Sequence, residues 1–67
     1  MTTPVWVKMA ASFYSKDDET AMAMGKENHF TLAAANMLEA IASTVDDPAT
    51  IAYLLEQAEI ARKTTRS

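Results

Sequence analysis

The chain has 67 residues, a formal net charge of −3, 49% hydrophobic residues and no cysteine. That length holds one domain at most, with a core so thin that disulfides, a metal or a partner subunit usually support it. With no cysteine and one histidine, His29, disulfides, thiolate zinc and a His-based metal site within one chain are excluded, so self-association, as a homodimer, is the expected support.

The elements fall in order from the N-terminus. In Thr3-Pro4-Val5, Thr3 can cap a helix whose first residue is Pro4, where a missing N–H is tolerated. Trp6, Met9, Ala10 and Phe13 recur at helical spacing through Tyr14. Residues 5–9 are also rich in strand formers, but a lone strand would find no partner strand in the chain. A helix over 4–14 is therefore expected, with Trp6 and Phe13 on one face, packed on Met22, Phe30 or Leu32.

A second start lies at Ser15, a candidate cap, with Asp17, Asp18 and Glu19 in or near the first turn, where carboxylates complement the helix dipole. From Phe30 on, Phe30, Ala34, Met37 and Ile41 form an apolar stripe, widened by Ala33, Leu38 and Ala40. One long helix over 16–43 is expected. Gly25 weakens it by about 1 kcal/mol relative to alanine; it marks a bend, a C-cap, or a close approach by another helix. Residues 43–46 read as a tight turn.

Asp47-Pro48 repeats the cap-then-proline signal more strongly, because Asp46 and Asp47 both favour the positive helix end. Ile51, Leu54, Leu55, Ala58 and Ala61 give the third helix, over 48–63, its apolar face. Glu59 with Lys63 is a favourable i,i+4 pair. Residues 64–67 are expected to fray.

At 1.5 Å per residue the central helix would span about 42 Å, and the flanking helices laid end to end would match it. The expected fold is all-α: a three-helix (short–long–medium) antiparallel hairpin or bundle, rod-like and completed by dimerisation. Rop-like helical hairpins offer an architectural analogy only.

Catalytic chemistry finds no foothold. Glu27, Asn28 and His29 are sequence neighbours and point in different directions on a helix. No nucleophile-elbow glycines, Glu-x-x-His pair or glycine-rich phosphate loop is present. Adjacent Asp46 and Asp47 do not form a calcium loop of alternating oxygens. Thr50 to Leu55 vaguely suggests the first helix of a helix-turn-helix, but the chain ends before a recognition helix. We therefore expect no catalytic, cofactor or metal residues and no enzyme.

Charge distribution narrows the partner. Residues 17–59 hold all nine acids and one base, Lys26, a net of −8. Such a body repels phosphate and attracts basic surfaces, so no direct nucleic-acid binding is expected. No apolar run reaches the about 18–20 residues of a membrane span, and no basic-then-apolar leader opens the chain. A cytoplasmic location is expected, and Met1 reads as a native start of a small gene product.

Two surfaces are candidates for contact with another protein. The first is acidic: Asp17, Asp18, Glu19, Glu27, Asp46, Asp47, Glu56 and Glu59. Carboxylates spaced along an elongated body can imitate a phosphate backbone. In size and charge class the chain is similar to small acidic inhibitors made by phages, anti-CRISPR proteins among them. The second is aromatic and methionine-rich: Tyr14 and Tyr53, whose hydroxyls favour partial exposure, and Met24.

The leading expectation is a non-enzymatic protein-binding module that inhibits or regulates a partner, encoded by a phage or mobile element. The alternatives are an acidic DNA mimic that blocks a nucleic-acid-binding protein, and a structural or assembly subunit.

Overall fold

The computed structural model describes residues 2–66; Met1 and Ser67, the end of the expected tail, lie outside that range. Four helices fill it: α1 (Val5–Tyr14), α2 (Asp18–Glu27), α3 (Phe30–Ala42) and α4 (Pro48–Arg66). There is no strand among the described residues. The chain is all-α as expected, but with four helices instead of three.

The difference lies in the expected long helix, which breaks after Glu27. The backbone passes through Asn28, and His29 turns into the left-handed region at φ 59°, before α3 begins at Phe30. Asn and His tolerate that conformation better than most side chains. The break has a packing cause. Ala21 and Gly25 are the buried face of α2. In an uninterrupted helix Phe30, nine residues after Ala21, would point about 180° away from that face. Breaking the helix lets Ala21, Gly25 and Phe30 all turn inward.

Gly25 is therefore not the break. It is buried under Trp6, where an added Cβ would sit 2.6 Å from the indole Cζ3. Of the readings open to it, the close approach is the one realised.

The caps of α1 and α2 also differ from expectation. Pro4, extended at ψ 146°, precedes α1, and the Val5 N–H donates to the Gln57 side chain of α4 at 3.1 Å. A tertiary partner thus takes an amide that Thr3 was expected to serve nearby. Ser15 adopts φ 56° and closes α1, so it does not cap α2. Asp17 does, accepting from the Thr20 N–H at 3.2 Å and the Thr20 hydroxyl at 2.7 Å.

The turn between α3 and α4 follows the sequence. Ser43 and Thr44 hydroxyls donate to the Ala40 and Ile41 carbonyls, closing α3. Asp47 caps α4, accepting from the Thr50 N–H at 2.9 Å and its hydroxyl at 2.6 Å. α4 continues past Lys63 to Arg66, and the Thr64 hydroxyl donates to the Ile60 carbonyl.

Two short connections, residues 15–17 and 43–47, make two hairpins, α1–α2 and α3–α4; α1 and α2 both pack on α3, and α1 also meets α4. The core is built on Trp6, Val7, Phe30 and Leu38, with Ala10, Ala21, Ala34, Ala35, Ala58 and Ala61 at the helix contacts. Alanines let helix axes approach to the near end of the usual 8–10 Å. The molecule measures 33 × 23 × 22 Å, so the expected rod is replaced by a folded-over pair of hairpins.

Candidate protein-binding surface

α1 is apolar around most of its circumference; between Val5 and Tyr14 only Lys8 and Ser12 are polar. Trp6, Val7 and Ala10 take the buried face. Val5, Met9 and Phe13, at i, i+4 and i+8, run along one flank of it and make a second, less buried apolar strip. That strip meets α3 along a groove of about 510 Å³, lined on α1 by Val5, Lys8, Met9, Ser12 and Phe13, and on α3 by Phe30 and Met37.

Phe13 stands at the rim, 71% exposed. Its ring lies 5.3 Å from that of buried Phe30 and 5.1 Å, edge-on, from Tyr14. The position corrects the expectation that Phe13 shares the burial of Trp6. Trp6 packs on Gly25 of α2, whereas Phe13, two helical turns later, edges the groove with its ring against Tyr14 and Phe30. Met37 is 42% exposed and Ile41, one turn further along α3, 48%.

The charge at the rim is largely cancelled. Lys8 Nζ lies 2.5 Å from Asp18 Oδ2, and the neighbouring Lys16, Asp17 and Glu19 are exposed.

The eight acidic candidates do not form one surface. Asp17 and Asp47 are helix caps. Their hydrogen bonds from Thr20 and Thr50 hold both carboxyls below the usual 3.8 by stabilising the charged form. Asp18 pairs with Lys8, and Glu59 with Lys63 at 3.3 Å. Glu19, Glu27, Asp46 and Glu56 are exposed, spread over α2, the α3–α4 turn and α4. Glu39, outside the expected set, accepts from both Arg62 terminal nitrogens at 2.5 and 2.7 Å, and Arg62 also donates to Asn36. The guanidinium holds the Glu39 carboxyl below its usual 4.5.

Of the other candidates, Tyr14 is half-buried against Phe13 and Phe30, Met24 is half-buried, and Tyr53 is 49% exposed. None of the three lines the groove; Tyr14 only touches two of its lining residues, Phe13 and Phe30. None of the residues that line the groove belongs to the expected contact set; Met9, Phe13 and Met37 are its most prominent apolar members. The signal for them was available: a helix apolar nearly all round, in a chain too small to bury it.

Among the described residues no three His, Asp or Glu side chains gather as a metal site, and no helix is long and apolar enough to cross a membrane. No protein-family model, curated protein or solved structure matches the chain.

Proposed function

We propose that this chain is a non-catalytic protein-binding module that inhibits or regulates a partner protein by contact through the α1–α3 groove. The observation that carries the reading is Phe13: a phenylalanine 71% exposed at the rim of an apolar groove floored by Phe30. Small folded chains rarely leave a large aromatic and adjoining apolar side chains in water without a partner to cover them. Aromatic and methionine side chains are also the usual anchors of contact surfaces. An apolar groove between two helices suits the apolar face of a helix presented by the partner, with side chains at i, i+3 or i+4, and i+7.

The DNA-mimic alternative is less favoured. Its carboxylates would have to be free and in register along an elongated body. Here Asp17 and Asp47 cap helices, Asp18, Glu39 and Glu59 are ion-paired, and the body is 33 Å in its longest dimension.

The test is site-specific photo-crosslinking in the producing cells. A benzoylphenylalanine placed at Ser12, in the groove, should capture a discrete protein. The capture should disappear with Met37→Arg, and the same probe at Glu56 on α4 should not reproduce it. Capture from Glu56 alone would refute the groove as the docking surface.

A further inference from the structure

We propose that, in the absence of a partner, the α1–α3 groove is covered by a second copy of this chain, related by a two-fold axis, with Phe13 of each protomer seated in the groove of the other. The proposal rests on the reading of the groove as a docking surface and names its occupant.

A two-fold interface uses the same patch on both copies, so one face must carry both a projection and its receptacle. This face does. Phe13 is 71% exposed, and the groove it borders is open between Met9, Phe30 and Met37. An aromatic side chain presents roughly 200 Å², so Phe13 leaves about 140 Å² for a partner to cover.

Charge permits the pairing. The net −3 of each chain opposes association in general, but little of it lies here. Lys8 and Lys16 stand beside Asp17, Asp18 and Glu19, and the one charged side chain lining the groove, Lys8, is already paired with Asp18. Two such rims therefore meet with little like-charge repulsion between them.

Area sets the strength. α1 and α3 are 10 and 13 residues long, about 15 and 20 Å, and each is about 10 Å wide. Together they offer about 350 Å² per copy, less than half of the roughly 800 Å² per partner in a standard interface. The dimer is therefore weak and concentration-dependent, which suits a surface that a regulated partner must be able to take over.

Sedimentation equilibrium of the full chain from about 10 µM to about 1 mM tests this, across the range where weak association is measurable. The unaltered chain should pass from monomer to dimer. Phe13→Asp and Met37→Arg should each weaken dimerisation by about 30-fold or more, the loss expected of a central anchor. Leu32→Asp, an exposed substitution outside the groove, should leave it unchanged, and helical circular dichroism should confirm that all three variants fold. A monomer throughout, or a dimer that survives Phe13→Asp, overturns the proposal. Either result leaves the separate crosslink from Ser12 to a different protein standing, so failure of the dimer and failure of the docking surface are told apart.

Discussion

Gly25 lies directly beneath the indole of Trp6, so close that a methyl group in place of its hydrogen would stand 2.6 Å from Cζ3. This contact seats α2 on α1 and buries Trp6 to 2% exposure. Helix propensity alone would favour alanine at this position by about 1 kcal/mol. Overpacking against a rigid ring costs about 1–3 kcal/mol. We expect Gly25→Ala to be net destabilising and to disturb the packing of Trp6. Ala23→Gly, on the exposed side of the same helix, should lose only the propensity term. Urea unfolding followed by the fluorescence of the single tryptophan measures both; a stabilised Gly25→Ala would show that the contact relaxes freely.

The break at His29 makes a second prediction. A β-branched side chain in the left-handed region is more strained than histidine. His29→Val should therefore destabilise the fold by about 1–2 kcal/mol, while His29→Gly should not destabilise it, since glycine adopts φ 59° freely. If Val and Gly behave alike in thermal unfolding, the helix does not break there.

Phe13 and Phe30 touch each other yet should respond oppositely. Phe30 is 7% exposed, and Phe30→Ala should cost about 3–5 kcal/mol, enough to unfold much of so small a domain. Phe13→Ser removes a side chain already mostly in water. It should leave the thermal midpoint nearly unchanged while reducing binding of an apolar dye such as ANS. Equal losses of stability would place Phe13 in the core.

Acid stability follows from the caps and from the Glu39–Arg62 pair. The carboxyls of Asp17, Asp47 and Glu39 titrate below their usual 3.8, 3.8 and 4.5 in the folded chain. A lowered folded-state value means that the unfolded chain binds protons first. The stabilisation is therefore complete above about pH 4.5 and fades as pH falls through the folded-state values. Asp47→Asn should flatten the acid limb of a stability–pH curve, while Ser43→Ala, which removes a hydroxyl in the same turn and no carboxyl, should leave it as it is. A matching effect from both would detach the acid limb from the cap.

Salt separates the apolar groove from an acidic mimic. A partner held in the groove should bind with little loss between about 50 and 200 mM salt, whereas a phosphate-like surface loses affinity steeply over that range. Replacing Asp17, Asp18 and Glu19 with Asn or Gln should leave binding of the captured partner largely intact, and Phe13→Asp should abolish it. The reverse pattern would restore the mimic.

The chain by itself determined the helical class and the start of its last helix. Helix is preferred because a lone strand has no partner, residues 43–46 read as a turn, and Asp47-Pro48 starts α4. These are short-range hydrogen bonds and steric limits, legible from neighbours in sequence. What only the tertiary structure decided is which apolar side chains find cover. Trp6 and Phe13 lie seven residues apart, on one nominal face, yet Trp6 is buried against Gly25 and Phe13 stands exposed at the groove rim. Val5 takes its cap from Gln57, 52 residues away, and the helix breaks at His29 because Phe30 must turn to the same interior as Ala21. Burial depends on where distant segments meet, and no local pattern carries that information.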